Sequence, residues 1–367
     1  MLGKDDTGEE QVTYCNKCDS IPEIAPKEGQ LFLWPPVSHI TGKILAAAKS
    51  IDLPVEKTAS VATLTINYSR PGLRDLIDVI SKDLLPEEMA ATKALIMPPK
   101  QSPEIDDISR ITSLNAIRAA IGAEWLGDVL RESRLNSAFQ PIFPISDFTA
   151  PYGHECLLRG VAADGSEITP GQLFDAAQSA TLLFQLDRAA RAANVRNAHK
   201  VGVTGNLFIN FTPSSIYDPD FCLRSTIEVV EECQIDRSSI VFEVIETEKV
   251  RSTSHLGHIL RSYRDSGFRV ALDDVGSGYS TLNMLPDLRP DIIKIDRELI
   301  DHVDHDNYKQ AIVSKLIDLA KQLGIEVIAE GIERQEELDF LTEHKVDYVQ
   351  GFLLGRPGPK PFTTGRA

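Results

Sequence analysis

From residue 139 onward, short apolar runs alternate with longer segments in which apolar residues return every three or four positions. The short runs have the length of buried strands, and the longer segments have the period of amphipathic helices. Strands that alternate with helices indicate a largely parallel sheet. Eight such runs predict an α/β fold of the TIM-like (β/α)₈ barrel type, with an open doubly wound sheet as the alternative. The predicted strands are Phe139–Pro144, Glu155–Leu158, Leu207–Phe211, Ile240–Val244, Val270–Leu272, Ile292–Ile295, Val327–Ala329 and Tyr348–Phe352.

The N-terminal third of the chain has shorter amphipathic segments between its apolar runs, which predicts a separate small α/β or α+β module over residues 21–100. This module contains no phosphate-binding loop and no catalytic cluster, so sensing and partner docking both remain open as its role. Its predicted strands are Leu31–Trp34 and Val61–Ile66, and its predicted helices are His39–Ile51 and Leu73–Leu85.

The remaining segments connect or flank these two parts. Residues 1–20 are polar and predict a flexible tail, and residues 361–367 predict a second tail. Residues 101–114 follow a proline-rich stretch and predict a linker to the barrel, which we place at 115–360. The apolar period over Ile108–Leu135 predicts one long helix across this junction.

Composition restricts the class of protein. Among the 367 residues, 42% are apolar, which is ordinary for a globular protein, yet no run is long enough to span a membrane or to form a secretory signal. These features predict a cytoplasmic protein. The formal net charge of −16 opposes long nucleic acid as a partner, although metal ions could still let an acidic pocket hold a small phosphorylated ligand.

Five cysteines at irregular spacing do not indicate a disulfide framework. Cys15 and Cys18 form a CxxC pair that could be half of a zinc site, with His39 as a third ligand. A second convincing pair is absent, so two plain thiols are the favoured alternative.

Two adjacent aspartates end one of the apolar runs, in the segment FRVALDDVGSGY at residues 268–279. Two anions at the end of a buried strand are unfavourable unless a cation holds them. A pair of divalent ions would bind both Asp273 and Asp274, because one carboxylate can bridge two ions. A loop in which these aspartates cap backbone amides is the alternative that the segment alone leaves open.

Other predicted strands also carry polar residues in or just after them, and the carboxyl ends of barrel strands meet at one mouth. Charged residues within buried strands are rare unless they are paired or bind a ligand. All but one of these groups offer oxygen, which suits Mg²⁺, Mn²⁺ or Ca²⁺ and not thiolate-held zinc. Two such ions about 3.5–4 Å apart are a common device for phosphodiester hydrolysis. The residues are Glu155, Asn210, Glu243, Glu246, Asp273, Asp274, Lys294, Glu330 and Gln350.

Eight segments resemble, in order, the motifs of the EAL family of cyclic di-GMP phosphodiesterases. The resemblance extends over about residues 115–358 and leaves the N-terminal third outside. Each motif alone is weak evidence, whereas the ordered set is strong. The segments are FQPIF (139–143), HECLLRG (154–160), INFTP (209–213), FEVIETE (242–248), LDDVGSGYS (272–280), DIIKIDRELI (291–300), VIAEGIE (327–333) and YVQGFLLGRP (348–357).

The resemblance implies two metal ions, Mg²⁺ or Mn²⁺. We expect Ca²⁺ to inhibit, because its looser coordination would position the attacking water badly. One ion would be held by the residues that match the family ligands, which are Glu155, Asn210, Glu243 and Asp273. Asp273 would bridge to a second ion, which Asp274 and Glu330 would also hold.

The resemblance also implies roles around the metals. Lys294 would contact the hydrolytic water, Glu330 is also a candidate base, and Gln350 would support the metal and water cluster. Glu246 matches a residue that holds the loop at Val275–Ser280, which in the family links the active site to a dimer interface, so we expect a homodimer.

Three further residues, Gln140, Leu157 and Arg159, match positions that contact substrate in the family. Arg159 suits a phosphate because its guanidinium can bind in a fork.

Two positions depart from the family pattern. Cys156 replaces alanine in the name motif, and we expect tolerance because cysteine is small and apolar when buried; redox sensitivity is the lesser alternative. Ile245 replaces the usual threonine, which removes a hydroxyl near the regulatory loop.

The function that the resemblance implies is metal-dependent hydrolysis of cyclic di-GMP to linear pGpG, in bacterial second-messenger signalling. A catalytically silent receptor for the dinucleotide, which signals through the N-terminal module, is the alternative. A general nuclease is disfavoured because the chain is acidic and its sequence shows no basic groove.

Overall fold

The computed structural model describes residues 21, 25–57, 63–216, 218–245, 253–276 and 281–362. The chain divides into two compact units, and each is described by itself. The N-terminal unit comprises the described parts of 19–132 together with 171–183, and the barrel unit comprises 133–170 and the described parts of 184–367. The predicted boundary at residue 115 therefore falls inside the N-terminal unit.

The N-terminal unit is built on a five-stranded antiparallel sheet of order β2-β3-β1-β4-β5. The succession of its first four strands and their helices is the βαββαβ arrangement. Its strands are β1 (Glu28–Trp34), β2 (Val55–Lys57), β3 (Leu64–Ser69), β4 (Lys93–Met97) and β5 (Thr112–Ser113). Its helices are α1 (Ser38–Ser50), α2 (Arg70–Asp83), α3 (Pro86–Ala91), α4 (Leu114–Gly122), α5 (Glu124–Arg131) and α6 (Pro170–Ala180).

The predicted strands and helices of this module correspond to β1, β3, α1 and α2, whereas β2, β4 and β5 were not predicted. Helix α2 begins where the sequence provides a cap: the Ser69 hydroxyl accepts a hydrogen bond from the Gly72 amide, and Pro71 occupies the first turn. The core beneath the sheet combines apolar residues of β1 and β3 with the inner faces of α1 and α2, including Leu31, Ile44, Ile66 and Leu76.

The prediction of one long helix over Ile108–Leu135 is wrong. Residues Ile105–Arg110 form a 3₁₀ turn, β5 pairs with β4, and Ser113 then caps α4 by accepting a hydrogen bond from the Ala116 amide. The apolar period was real, because Leu114, Ile117 and Ile121 pack into the N-terminal core. The cap at Ser113 and the pairing of β5 with β4 interrupt the single helix that the apolar period alone predicted.

The barrel unit is a closed sheet of eight strands in the order β6-β14-β13-β12-β11-β10-β9-β7, with β6 pairing β7 and a short β8 beside β7. Among the eight barrel strands, all neighbours are parallel except β6, which is antiparallel to both of its neighbours; the short β8 is antiparallel to β7. The (β/α)₈ prediction is therefore confirmed with one strand reversed. The strands are β6 (Leu135–Pro144), β7 (Gly153–Val161), β8 (Glu167–Ile168), β9 (Asn206–Asn210), β10 (Ile240–Ile245), β11 (Arg269–Val275), β12 (Ile292–Ile295), β13 (Glu326–Ala329) and β14 (Tyr348–Val349).

Helices connect the parallel strands along the barrel. They are α7 (Leu183–Val201), α8 (Pro219–Cys222), α9 (Arg224–Glu232), α10 (Thr253–Asp265), α11 (Thr281–Leu288), α12 (Arg297–Ile300), α13 (Asn307–Leu323) and α14 (Gln335–Glu343), with 3₁₀ turns at Pro213–Ser215 and Arg237–Ser239. No helix among the described residues combines the length and apolar character that a bilayer crossing demands.

One apolar layer fills the inside of the barrel and sets the level of the polar residues above it. Six strands each contribute one residue to this layer, and the members contact one another. Because side chains alternate along a strand, the residue two positions nearer the barrel mouth faces the same interior. That residue comes two positions later in the parallel strands and two positions earlier in the reversed strand β6. The layer consists of Ile142, Phe208, Val241, Ala271, Ile292 and Ile328, and the corresponding next positions are Gln140, Asn210, Glu243, Asp273, Lys294 and Glu330.

Candidate active site

Lys294 is the centre of the polar layer. Its ammonium Nζ lies 2.6 Å from Glu330 Oε1, 2.7 Å from Glu243 Oε1, 3.2 Å from Asp273 Oδ1 and 3.8 Å from Glu155 Oε2. Lys294 is 1% exposed and Glu243 is fully buried. The structure thus brings four of the predicted carboxyl ligands around the one predicted lysine.

Two amide side chains complete this group on the side of Glu155. Asn210 Nδ2 donates to Glu155 Oε1 at 3.3 Å, and Gln350 Nε2 donates to Glu155 Oε2 at 2.7 Å. The other amide oxygens, Asn210 Oδ1 and Gln350 Oε1, are buried and have no hydrogen-bond partner within the described residues. Gln350 lies just after the end of β14, where Gly351 allows close approach to the Ile332 backbone that a Cβ would block.

Asp274 joins the site because the backbone of β11 is irregular. The pairing register between β11 and β12 shifts between Leu272 and Val275, and Asp274 has a left-handed φ of 56°. Aspartate tolerates this region better than most residues. As a result, carboxylate oxygens of Asp273, Asp274 and Glu330 lie within 4.8 Å of one another, although regular alternation would turn the two aspartates to opposite faces.

Burial and mutual repulsion raise the pKa values of the carboxyl groups. Burial, partly offset by Lys294, raises the pKa of Glu330 to about 8 and that of Glu243 well above its ordinary range. The pKa of Asp274 rises to about 6 through burial and then through the nearby carboxyls of Asp273 and Asp296. Full ionisation of these carboxyl groups is therefore unfavourable while no metal ion is bound.

The opposite effect acts on the lysine. Burial by itself would lower the pKa of Lys294, but the surrounding carboxylates, Asp273 and Glu155 foremost, outweigh burial and raise it well above its ordinary value. Lys294 is consequently a permanent cation.

These residues fit a pair of hard divalent cations. The donors are carboxylate and amide oxygens, and two buried amide oxygens lack partners among the described residues. Two divalent ions carry four positive charges, which equals the excess of five carboxylates over one ammonium. The residues that would hold them are Glu155, Asn210, Glu243, Asp273, Asp274 and Glu330.

The three residues expected to contact substrate lie on the β6–β7 hairpin. Gln140 stands opposite Glu155 in the strand register, and its amide donates to the Gly355 carbonyl at 3.3 Å. Leu157 is two residues beyond Glu155 on the same face of β7, and Arg159 follows two residues later. Arg159 lines a cleft of about 500 Å³, where its Nε lies 3.3 Å from a carboxylate oxygen of Glu167.

Some sequence predictions fall on residues that the structure does not describe. Glu246, the loop residues 277–280 and the pair Cys15 and Cys18 lie outside the described residues, as does the side chain of Ile245. Cys156 is described: it is buried in the barrel core, and burial raises the pKa of its thiol well above the ordinary value.

Sequence analysis missed two sets of residues beside the site. Asp296, two residues after Lys294, faces Asp274 and caps α12 by accepting a hydrogen bond from the Glu298 amide at 2.7 Å. Asp187, Arg191 and Asn194 are buried polar residues on one face of α7. Their spacing of four and three residues places them on one face of the helix, but nothing in the residue pattern indicates that this face is buried.

Comparison with known proteins gives the family. The model of the EAL domain matches residues 123–357. The chain is 31% identical over 252 residues to "Probable cyclic di-GMP phosphodiesterase PdeG" of Escherichia coli, covering 65% of this chain and 48% of that protein. It is also 31% identical over 214 residues to "Bifunctional diguanylate cyclase/cyclic di-GMP phosphodiesterase MucR" of Pseudomonas aeruginosa, covering 56% of this chain and 31% of that protein.

Among solved structures, a standalone versatile EAL protein from Vibrio cholerae in its c-di-GMP-bound form has a TM-score of 0.57 and 32% identity, covering 63% of this chain and 95% of that chain. The structure titled "PaMucR Phosphodiesterase, c-di-GMP complex" has a TM-score of 0.57 and 29% identity, with coverage of 64% and 96%. The chain spans less than half the length of both curated relatives. Because the family model matches well over half of its residues, the chain belongs to the EAL domain family.

Proposed function

We propose that this chain hydrolyses cyclic di-GMP to linear pGpG in a reaction that depends on two divalent cations, Mg²⁺ or Mn²⁺. The observation that supports this most is the ring of five carboxyl groups around Lys294, together with two amide oxygens that have no partner in the described part of the chain. The names of the relatives, which are cyclic di-GMP phosphodiesterases, support the choice of substrate.

The metal ligands divide into two groups that share one residue. Glu155, Asn210, Glu243 and Asp273 would hold one ion, and Asp273, Asp274 and Glu330 would hold the other. Two bound divalent ions lower the pKa of an attacking water and neutralise charge that develops on the phosphate. The backbone holds these ligand side chains in place, because each of the residues lies in a barrel strand or directly after one.

Lys294 and Glu330 are the two groups placed to act on the water. The ammonium of Lys294 would orient the water and stabilise the negative charge of the transition state. Glu330, whose carboxylate lies 2.6 Å from the Lys294 ammonium, is the candidate base for this water. Gln350 would keep Glu155 oriented through the hydrogen bond that it donates.

Substrate would be held at the barrel mouth next to the metals. Arg159 would bind a phosphate, since its present carboxylate partner, Glu167, is largely exposed and can be replaced. Gln140 and Leu157 would contact the dinucleotide beside it. Glu246 would hold the loop after β11, and this loop would contribute to a homodimer.

The second candidate is a silent receptor that binds cyclic di-GMP and reports through the N-terminal unit. Such proteins typically lack metal ligands or the lysine, whereas here Lys294 and its carboxylates come together. The two functions differ in their need for metal, because a silent receptor should bind the dinucleotide equally well in a chelator. We also propose that this chain acts in bacterial second-messenger signalling, in the cytoplasm.

The decisive experiment is a turnover assay on the full-length chain. Cyclic di-GMP is incubated with Mn²⁺, with Mg²⁺ or with a chelator, and pGpG is followed by chromatography. We expect metal-dependent pGpG, and a loss of orders of magnitude in Glu155→Ala and Asp273→Asn. Tight binding of cyclic di-GMP without product in either metal would favour the receptor.

A further inference from the structure

Helix α7 presents a buried polar face toward the strands that carry Glu155 and Asn210. Asp187, Arg191 and Asn194 follow one another at intervals of four and three residues, so they lie on the same side of the helix. Each is only 2% exposed. None of them belongs to the ring around Lys294, so they are buried polar groups that the proposed chemistry does not use.

Asp187 ties this face to the backbone behind Asn210. One of its carboxylate oxygens, Oδ1, accepts a hydrogen bond of 2.7 Å from the Thr212 amide, and Thr212 is two residues beyond Asn210. The intervening residue, Phe211, donates its amide to the Glu243 carbonyl at 3.1 Å. The chain that leaves Asn210 is therefore fixed at two consecutive amides, once by α7 and once by β10.

Arg191 fixes Asp187 in turn. Its Nε donates to Asp187 Oδ2 at 3.1 Å, and its Nη1 donates to Thr226 Oγ1 at 2.8 Å and to the Tyr263 hydroxyl at 3.4 Å. The ring of Tyr263 stacks on Phe211, with ring centroids 5.1 Å apart. Both oxygens of Asp187 thus have donors, and the network returns to the residue that follows Asn210.

Asn194 makes the corresponding contact behind Glu155. Its Nδ2 donates to the carbonyl of Cys156 at 3.4 Å, and its Oδ1 accepts from the Ser137 hydroxyl at 2.7 Å. Cys156 is the residue after Glu155, and Glu155 itself accepts a hydrogen bond from Asn210. One helix face therefore touches the backbone next to both members of this ligand pair.

We infer that the polar face of α7 positions Glu155 and Asn210 and thereby sets the affinity of the site for its first metal ion; the inference rests on the proposed function. A buried ion pair such as Asp187 with Arg191 contributes little net stability compared with apolar residues of the same volume. What apolar residues could not supply is an acceptor for the Thr212 amide and a donor for the Cys156 carbonyl. Groups behind metal ligands commonly set metal affinity by this kind of orientation.

The test compares two double variants that differ only in the acceptor. Asp187→Asn/Arg191→Met keeps an oxygen for the Thr212 amide and leaves no unpaired guanidinium, whereas Asp187→Ala/Arg191→Met removes that oxygen. Mn²⁺ alone is titrated into each full-length chain, and binding is followed by calorimetry. We expect the alanine variant to bind Mn²⁺ about 10-fold or more weakly than the asparagine variant. Asn194→Ala should weaken binding similarly.

Glu326→Ala is the control for a merely structural loss. Glu326 pairs with Arg269 and accepts from the Tyr348 hydroxyl at 2.9 Å, but it begins β13, four residues before Glu330 and at the opposite end of the strand. The Glu326→Ala variant should bind Mn²⁺ with the same affinity as the wild type. Circular dichroism of every variant identifies any that fail to fold. If the alanine double variant fails to fold, the asparagine double variant and Asn194→Ala still test the inference.

The outcomes separate this inference from the proposed function. A wild-type chain that binds no Mn²⁺ overturns both. A wild type that binds Mn²⁺ as tightly as all the α7 variants overturns the inference alone. The inference also fails if Glu326→Ala loses as much affinity as the α7 variants, because the effect would then follow general stability.

Discussion

Replacing Lys294 with methionine tests the electrostatic account of the site most directly. Methionine keeps an unbranched side chain of similar length in a position that is 1% exposed, so packing changes little. What is lost is the cation that lies within 4 Å of Glu155, Glu243, Asp273 and Glu330. In a chelator, these carboxylates therefore lose the cation that balances part of their charge.

The size of the effect depends on pH. Removing one partner of a buried ion pair costs about 3–5 kcal/mol, because the remaining charge stays buried and uncompensated. The carboxyl groups can escape that cost by taking up protons, and Glu330 already has its pKa raised to about 8. At pH 8 the carboxyl groups of the unfolded chain are fully ionised, so protonating them on folding costs much free energy. The full loss of about 3–5 kcal/mol in the free energy of unfolding should therefore be seen. At pH 5.5 the loss should be smaller, since protons are then available at lower cost.

The assay is thermal unfolding in a chelator at pH 8 and at pH 5.5, followed by turnover with Mn²⁺. About 3–5 kcal/mol corresponds to a fall in Tm of roughly 6–20 °C for a unit of this size. Turnover should fall at least about 10²-fold even under conditions where the variant is folded. Lys315→Met, at an 82% exposed lysine, is the matched control and should change stability by no more than about 0.5 kcal/mol.

The reasoning fails if Lys294→Met unfolds at the wild-type temperature at pH 8, or if the loss of stability is the same at both pH values. Wild-type turnover in this variant would remove Lys294 from the chemistry.

Four further predictions follow from the same site. In a chelator, the raised pKa values of Glu330 (about 8) and Asp274 (about 6) mean that the folded state binds more protons than the unfolded state, so Tm should fall from pH 5 to pH 8; calorimetry that shows a rise would contradict this. Ca²⁺ should support binding of cyclic di-GMP but little hydrolysis, because its coordination is looser; full turnover with Ca²⁺ alone in the pGpG assay would refute it. Cys156→Ala should retain turnover within about threefold, and the wild-type thiol should resist alkylation in the folded chain, since the thiol is buried with a raised pKa. Asp274→Asn and Asp274→Ala should both lose turnover, and the alanine variant should be about 1 kcal/mol less stable than the asparagine variant, because alanine tolerates the left-handed φ of 56° poorly; equal Tm values for the two variants would refute this.

The sequence predicted the barrel well because its strands are buried on both faces. Parallel strands with helices outside are nearly continuous apolar runs, and all eight runs were therefore visible. The runs also predicted that Asn210, Glu243, Asp273 and Lys294 would meet at one mouth, because the carboxyl ends of barrel strands converge there. In the structure, each of them stands two residues beyond a member of the inner apolar layer. The extent of several runs was misjudged: β6 already begins at Leu135, β7 continues to Val161, and β14 ends at Val349.

The helix α7 and the junction before the barrel could not be predicted in the same way. The polar residues on the inner face of α7 interrupt the amphipathic pattern, so the sequence alone gives no reason to bury Asp187 or Arg191. Their partners are backbone groups at Thr212 and Cys156, and a residue pattern carries no record of a bond to a distant backbone. At the junction, the apolar period of Leu114, Ile117 and Ile121 belongs to the N-terminal core and could not indicate where the helix stops.

Asp274 shows why a prediction from sequence can lack its structural reason. Adjacency suggested that Asp273 and Asp274 share two metal ions, yet adjacent residues of a regular strand point to opposite faces. The two carboxylates lie together only because the register with β12 shifts and Asp274 takes a left-handed conformation. Gly276, with a φ of 108°, follows where a Cβ would collide with Leu299, so the backbone beyond the aspartates is equally constrained. A binding site for two ions at this strand therefore requires an irregular backbone as well as two acidic residues.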